Sequence, residues 1–296
     1  MIVPEQAVSF EENPHPFSKS KTYAVAGVHA ASYTGTLLIL SKAWYKDFPK
    51  APFHTFNDSR EWLQVDKAGH AWTAYTLARY SAGLWIWAGI AREKAAWLGG
   101  ISGLGYQTIL ESLDAHSAQW GWSWADMGAN IAGASLFTAQ QLLRQEQSLQ
   151  LKFSAFPERY AAPEMKQRAA ALFGNHFPER LLKDYNAQTY WLSVNIRSIL
   201  HNEVPGWLNI AVGYGAKGMY GGFENIAIDG NGIVLFDRRD IKRQRQWYLS
   251  PDIDWTKINT KKQAVKTLFS VLNMIKVPAP ALELRNGKLQ GRLISF

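Results

Sequence analysis

Ionisable residues at helical spacing interrupt the apolar stretches of the first half of the chain. Asp66 and His70 are four residues apart in VDKAGHAWTAY, and Lys67 follows Asp66 directly. Residues four apart lie on the same face of a helix. The spacing therefore predicts a polar stripe on one helix, made of residue types that bind metal ions or transfer protons.

Two further stripes have the same spacing. Gln107, Glu111 and Asp114 lie at i, i+4 and i+7 in YQTILESLDAHS, and Asp126 and Asn130 are four apart in GWSWADMGANIAG. A carboxylate that faced lipid or an apolar core would cost on the order of several kcal/mol. We therefore expect the three stripes to face one shared interior.

The residue types leave two uses of such a cluster open. It could bind a divalent cation through His70, Glu111 and Asp114, or use a carboxylate or His70 as a general base with Lys67 contacting an anion. In either case Asp66, Lys67, His70, Glu111 and Asp114 are the candidate catalytic residues. Alternatively, the buried groups satisfy one another and only set the helix register.

The segment FHTFNDSREW precedes the first stripe. His54, Asp58 and Glu61 could cover the mouth of the cluster, but the pattern favours a turn in which Asp58 or Ser59 caps the next helix. His116 is open to the same two interpretations.

Other chemistry is excluded or poorly supported. The 296 residues contain no cysteine, which excludes disulfides, thiolate metal sites and a cysteine nucleophile. There is no phosphate loop, HExxH motif or nucleophile elbow. The net charge is +8, and residues 151–296 hold 21 of the 32 basic residues. The run DRRDIKRQRQW is interpreted first as a solvated strand or turn and second as a contact with anionic lipid. We predict no nucleic-acid partner.

The first half predicts about four apolar helices, at residues 22–46, 66–91, 95–117 and 123–147. Thr22 to Ser41 contains no charged residue, and 20 helical residues cross a hydrocarbon layer of ~30 Å. Small residues fill the helices, and nine of the 13 tryptophans lie between Trp44 and Trp124. Both features are typical of membrane helices, but a soluble, tryptophan-rich bundle stays open.

The second half predicts a smaller α+β or β-rich basic domain, with residues 1–150 as the first domain and 151–296 as the second. Alternation in YWLSVNIR indicates a strand, WYLSPDI at residues 247–253 repeats it, and DGNG at residues 229–232 predicts a hairpin turn. Helices are expected at residues 163–173 and 261–275. The last strand ends at Phe296, as outer-membrane barrels do, but too few strands are predicted for a closed barrel.

The motifs DKAGH, ESLD and GWSWADMGANIAG, in this order, resemble the YfiM-like predicted periplasmic lipoproteins of unknown function. The resemblance covers residues 55–145 and extends distantly to VanZ-like membrane proteins. It implies a Gram-negative envelope location, at the outer membrane or the periplasmic face, and it implies no reaction. The family pattern falls on the following residues: Asp66, Lys67, His70, Glu111, Asp114, Ser123, Asp126 and Asn130.

Within that pattern we expect Ser123, Asp126 and Asn130 to support the central residues rather than react. One departure is that no cysteine is present, so this chain as written cannot carry a lipid anchor. The first residues, MIVPEQAVSFEENPHPF, also lack the basic and apolar regions of a signal peptide, which predicts that the chain has no leader.

These observations predict an envelope membrane-associated protein that binds or processes an amphiphilic envelope molecule, with a membrane or lipid as partner. The alternative is a non-enzymatic structural subunit of an outer-membrane assembly, with another envelope protein as partner. A soluble cytoplasmic enzyme is the third interpretation. The sequence does not decide whether the protein is an enzyme, and a divalent metal is the one cofactor that its residues suggest.

Overall fold

The first half of the chain forms four long helices, and strands follow, so the predicted mixed α and β fold is confirmed in outline. The computed structural model describes residues 15–42, 49–200 and 204–295. The helices are α1 (Lys19–Leu40), α2 (Val65–Trp87), α3 (Arg92–Asp114) and α4 (Trp124–Leu143). The predicted end of the first helix at residue 46, together with Trp44, lies outside the described residues.

Helix α1 lies along the outside of the bundle and is held there by polar contacts. Its single buried residue is Val25, whereas Val28, Leu38 and Ile39 are exposed. In the described part of the chain, α1 is the one helix long and apolar enough to cross a membrane. Three side-chain hydrogen bonds join it to α2 and α3: His29 with Ser81 at 2.8 Å, Tyr33 with Ser102 at 2.8 Å, and Tyr106 with Thr36 at 3.0 Å.

Small residues lie at the closest contacts between α2, α3 and α4. A Cβ atom on Gly103 would lie 2.6 Å from the carbonyl oxygen of Ala74, and one on Gly133 would lie 2.0 Å from that of Ala71. The helix backbones therefore approach each other closely, as in membrane helix packing. Large apolar side chains of the same helices are exposed instead: Trp87, Trp97, Ile101, Ile109, Trp124 and Ile131.

The second half is built on strands and short helices. The elements are β1 (Leu149–Ala155), α5 (Pro163–Phe173), α6 (Phe177–Lys183), β2 (Gln188–Asn195), α7 (Arg197–Leu200), β3 (Leu208–Lys217), β4 (Ile226–Ile228), β5 (Val234–Asp237), β6 (Gln244–Ile253), α8 (Gln263–Leu272), β7 (Ala279–Arg285) and β8 (Lys288–Ser295). Six strands form an antiparallel sheet with the order β1-β2-β3-β6-β7-β8, beside a separate β4-β5 hairpin. The predicted strands, the hairpin turn and both predicted helices are present, and the short helices α6 and α7 were not predicted. Phe296 lies outside the described residues.

The sheet buries its polar face. Lys152 is fully buried and its Nζ lies 2.8 Å from Oδ2 of Asp252, which also accepts a hydrogen bond from Ser193 at 2.6 Å. The opposite face carries apolar side chains that are exposed. One such row crosses four strands in register: Leu192, Val212, Leu249 and Leu282. The polarity of this sheet is thus the reverse of that in a water-soluble sheet with one buried face.

The sheet packs on the helical half mainly through its first two strands. The ring of Phe153 in β1 lies 5.1 Å from that of Trp72 in α2 and 5.3 Å from that of Tyr190 in β2. The Gln140 side chain in α4 both donates to and accepts from the backbone of Leu149, at 2.9 and 2.8 Å. These contacts set the position of β1 against α2 and α4.

Candidate functional site

Three buried carboxylates surround the ammonium group of Lys67. Its Nζ lies 2.6 Å from Oδ2 of Asp58, 2.9 Å from Oδ2 of Asp66 and 2.7 Å from Oδ1 of Asp126. Asp66 and Lys67 belong to the first turn of α2, and Asp126 belongs to the first turn of α4. Lys67 is therefore the counter-ion of these carboxylates, as in the buried network that the sequence left open, and its contact with an anion stays a prediction.

Ser123 fixes the start of α4 and connects it to the loop before α2. Its Oγ accepts a hydrogen bond from the Asp126 backbone N–H at 3.0 Å, which is an ordinary helix N-cap. The same hydroxyl donates to Oδ1 of Asp58 at 2.5 Å. The backbone N–H of Ser123 donates to Oε2 of Glu111 at 3.3 Å. Ser123 thus contacts Asp58, Glu111 and Asp126 through hydrogen bonds.

His70 lies on the other side of Asp126, one turn along α2. Its Nε2 is 3.7 Å from Oδ1 of Asp126, and its Nδ1 is 3.6 Å from Oε1 of Glu111. Nδ1 also lies 3.2 Å from Oδ1 of Asn130, which accepts a hydrogen bond from Gln107 at 2.8 Å. The three predicted stripes therefore do meet in one interior.

Several carboxylates of the cluster keep oxygens without a hydrogen bond. Oδ1 of Asp66 and Oε1 of Glu111 are buried and make none within the described residues, although Glu111 is only 1% exposed. Buried polar atoms are normally paired, so each such oxygen indicates a missing proton, water or ion. The cluster contains the four carboxyl groups of Asp58, Asp66, Glu111 and Asp126, with Lys67 as the one permanent cation among these residues.

The surroundings shift the pKa values of the carboxylates. Burial raises the pKa of Glu111 to about 9 and that of Asp66 to about 6. Burial, together with its contact with Asp126, also raises the pKa of Asp58. Burial acts the same way on Asp126, but His70, Asp58 and Lys67 outweigh it and hold the Asp126 pKa below its ordinary value. Neighbouring carboxylates thus differ in protonation, as in acid–base sites.

Not every predicted residue joins the centre. Asp114 is half-buried one turn beyond Glu111, where its charge raises the Glu111 pKa. Among the described residues, His70, Glu111 and Asp126 form one group of three close donor atoms, and Asp114 is in neither such group. The close group thus contains Asp126 and not the predicted Asp114. His116 lies on the surface, where its Nδ1 donates to the Ser112 carbonyl oxygen at 2.7 Å.

Asp58 differs from its predicted role. It caps no helix; the turn there is made by Asn57, whose side chain accepts from the Ser59 N–H at 3.2 Å. Asp58 instead reaches Lys67 and belongs to the cluster. His54 stays outside it, with Nδ1 3.0 Å from the Pro52 carbonyl oxygen.

A left-handed turn lies between Asp58 and Asp66. Trp62, Leu63 and Gln64 have φ values of 47°, 52° and 66°, a region that side chains other than glycine seldom adopt. The second half of the chain holds this turn, a contribution that no sequence pattern indicated. The contacts are Trp62 N–H to the Gly222 carbonyl at 2.7 Å, Tyr214 hydroxyl to the Leu63 carbonyl, and Arg245 to the Gln64 side chain at 2.7 Å.

The fold and the site define a mixed α and β protein whose helical half encloses an acidic cluster with one lysine and one histidine. Residues 55–142 match the model of a family described as predicted periplasmic lipoprotein (DUF2279). The match spans every residue of the cluster and supports the family resemblance of the three motifs. Its description agrees with the periplasmic face of the envelope and names no function. No curated protein and no solved structure matches the chain.

Proposed function

We propose that the protein is a membrane-associated component of the Gram-negative envelope, and that it binds the polar head of an amphiphilic envelope molecule at the cluster around His70. The single observation that carries this proposal is the reversed polarity of both halves. Charged and polar side chains are buried, and large apolar side chains are exposed. Contiguous apolar surface of this kind is typical of a surface that contacts lipid or another protein.

In the helical half, the support comes from α1 and from its neighbours. Helix α1 has 22 residues, at ~1.5 Å each, and only Val25 is buried. Its contacts with α2 and α3 include three hydrogen bonds between side chains, which are a common means of joining helices within lipid. The exposed rings of Trp87, Trp97 and Trp124 suit a lipid boundary.

The second half adds the outer face of the sheet. Leu249 is 42% exposed and Leu282 is 48% exposed, and the two face each other on adjacent strands. Exposure of such a row to water is unfavourable in free energy, whereas contact with lipid hydrocarbon is not. The polar groups on the other face are hydrogen-bonded within the sheet, as for Lys152 with Asp252.

The position of the cluster suits a polar head group. Thr36, near the end of α1, contacts Tyr106 of α3. Glu111 follows Tyr106 by about one and a half helical turns, or ~7.5 Å. The cluster therefore lies just beyond the apolar segment of α1, at the level where lipid head groups would begin. His70, whose side chain is 18% exposed, is the accessible member.

The charge of the cluster limits what it can bind. Because Lys67 is already surrounded by carboxylates, the site favours a head group that donates hydrogen bonds or carries positive charge, or one that arrives on a bound cation. Glu111 would accept from or donate to that group, while Asn130 and Gln107 orient His70.

The test is the lipid that accompanies the protein. The full chain would be purified from membranes in a mild detergent, and its organic extract analysed by mass spectrometry. We expect one class of amphiphile at near-stoichiometric amount, reduced at least about tenfold in Glu111→Gln and unchanged in Asp114→Asn, the matched control one turn away. Equal amounts in all three proteins would contradict the proposal.

The alternative, a structural subunit of an outer-membrane assembly, has one observation in its favour. Lys67 joins the loop before α2, α2 itself and α4 through three ion pairs. If the cluster only sets register, His70→Ala and Glu111→Ala should together lower stability by roughly 3–5 kcal/mol while no ligand is lost.

A further inference from the structure

We infer that His70, Glu111 and Asp126 bind a divalent transition-metal cation, of the kind represented by Zn²⁺ and Mn²⁺. The inference deepens the proposed function and rests on it in one respect, because the polar head group would bind to this cation. The three residues offer one imidazole nitrogen and two carboxylate oxygens, and their donor atoms all lie within 4.8 Å of one another. Mixed nitrogen and oxygen donors of this type suit first-row transition metals.

The spacing of the donors fits a shared ion. Nε2 of His70 lies 3.7 Å from Oδ1 of Asp126, and Oε1 of Glu111 lies 3.6 Å from Nδ1 of the same ring. One imidazole binds one cation through a single nitrogen, so the ion would take Nε2 together with one oxygen each from Asp126 and Glu111. Two ligands bound tetrahedrally at ~2.1 Å stand about 3.4 Å apart. The distance from Nε2 to Oδ1 is too long for a hydrogen bond but needs only a small contraction to bring both atoms onto one cation.

A second observation points to a ligand, independently of the clustering of acids. Oε1 of Glu111 is buried, makes no hydrogen bond and is the oxygen of that carboxylate that faces His70. Glu111 is 1% exposed, so water from bulk solvent does not satisfy this atom. A cation that this oxygen shares with His70 and Asp126 would supply the missing partner.

The surrounding amides prepare His70 to be a ligand. Oδ1 of Asn130 accepts from Gln107 at 2.8 Å and is 3.2 Å from His70 Nδ1, so it can accept a second hydrogen bond from Nδ1–H. The lone pair then belongs to Nε2, which faces Asp126. Metal-binding histidines usually donate their second ring N–H to such an oxygen.

The neighbouring acids do not compete for the ion. Asp58 and Asp66, with Asp126, form a second group of three donors, but Lys67 Nζ already lies within 2.9 Å of each. Lys67 occupies the place that a cation would take there and holds Asp126 in position. Since the side chain of His70 is partly exposed, the site keeps an open side, as metal sites that act on a substrate do.

The test is metal binding to the full chain in detergent after removal of metal with a chelator. Zn²⁺ and Mn²⁺ would each be titrated alone by equilibrium dialysis with elemental analysis. We expect one tight site, with affinity reduced at least about 100-fold in Glu111→Gln and in His70→Ala. The matched controls, Asp114→Asn and His116→Ala, should bind as the wild type does. Thermal unfolding of each metal-free variant shows that it is folded, and Asp126→Asn replaces any variant that is not.

Two results would overturn the inference: no stoichiometric Zn²⁺ or Mn²⁺ binding by the wild type, or binding that Glu111→Gln and His70→Ala leave unchanged. If Mg²⁺ or Ca²⁺ binds as strongly as Zn²⁺ and Mn²⁺, and His70→Ala leaves that affinity unchanged, a site with a nitrogen ligand is contradicted. Lipid analysis of the same samples separates the two proposals. Metal without lipid would support this site and contradict head-group binding, and lipid without metal would do the reverse.

Discussion

Nζ of Lys67 lies 2.7 Å from Oδ1 of Asp126, and the two residues begin different helices, α2 and α4. The same ammonium group contacts Asp58 in the preceding loop. One buried cation thus joins three segments of the helical half. On the side of His70 and Glu111, the buried Oε1 of Glu111 makes no hydrogen bond, and that oxygen is what makes this side a candidate binding site.

Removal of the central cation should destabilise the helical half strongly. Lys67→Met leaves Asp58, Asp66 and Asp126 buried without a counter-ion, and breaking a buried ion pair costs roughly 3–5 kcal/mol. Chemical denaturation in detergent would measure the loss. Lys94→Met, at an exposed position of α3, is the control and should change the free energy of unfolding by less than about 0.5 kcal/mol. Equal stability of the two variants would contradict the central role of Lys67.

Glu61 should make stability depend on pH. Burial, with the charges of Asp66 and Asp58, raises its pKa from 4.5 to about 7. The stabilisation from protonated Glu61 is fully present below pH 4.5 and is lost as the pH rises through about 7. Between pH 5 and pH 8 the wild type should lose about 2 kcal/mol relative to Glu61→Gln, allowing for partial solvent screening.

The measurement for Glu61 is chemical denaturation at both pH values. Glu93→Gln, which removes an exposed carboxylate from the start of α3, should show the same pH dependence as the wild type. If Glu61→Gln follows the wild type between pH 5 and pH 8, the burial of that carboxylate is not what we describe.

Because α4 lies close to α2, alanine substitutions at two glycines of α4 should change the stability in opposite directions. A Cβ on Gly133 would meet the backbone of Ala71 at 2.0 Å, whereas nothing lies within 4 Å of a Cβ on Gly128. Gly133→Ala should cost about 1–3 kcal/mol through overpacking. Gly128→Ala should stabilise the helix by up to about 1 kcal/mol. Thermal unfolding of both variants checks the sign, and a shared sign would contradict this helix packing.

The outer face of the sheet should contribute to membrane binding. Leu249→Ser combined with Leu282→Ser removes two exposed leucines that face each other, so we expect weaker binding to vesicles of envelope lipids, by about tenfold. The stability in detergent should change little. Leu235→Ser, at an exposed leucine of the separate hairpin, is the matched control. Unchanged flotation of the double variant with vesicles would contradict a lipid-facing sheet.

The helices and most of the cluster could be predicted because both depend on local spacing. Asp66 and His70, or Asp126 and Asn130, share a helix face whatever the fold, and the cost of isolating a buried carboxylate brings such faces together. The choice between Asp114 and Asp126 as third donor could not be predicted in this way. It depends on how α4 packs against α3, and the spacing of residues within one helix does not determine that packing.

Other parts depend on contacts between distant segments. Asp58 lies in a loop, and the course of that loop depends on the left-handed turn that follows it. Gly222 and Tyr214, in the second half of the chain, hold this turn through hydrogen bonds. Alternation in β2 shows that Trp191 and Ser193 share a face, but not which face is buried. That the polar face is inside follows from buried partners on other strands, such as Asp252 for Ser193.

Reversed polarity is the central claim, and partition of the full chain between lipid and water tests it most directly. The purified protein would be freed of detergent in the presence of vesicles of envelope lipids, then floated on a density gradient before and after an alkaline carbonate wash. We predict that it floats with the vesicles and resists the wash, because α1 and the outer sheet face are covered by lipid. A monodisperse protein that stays in the aqueous fraction without detergent would contradict the account.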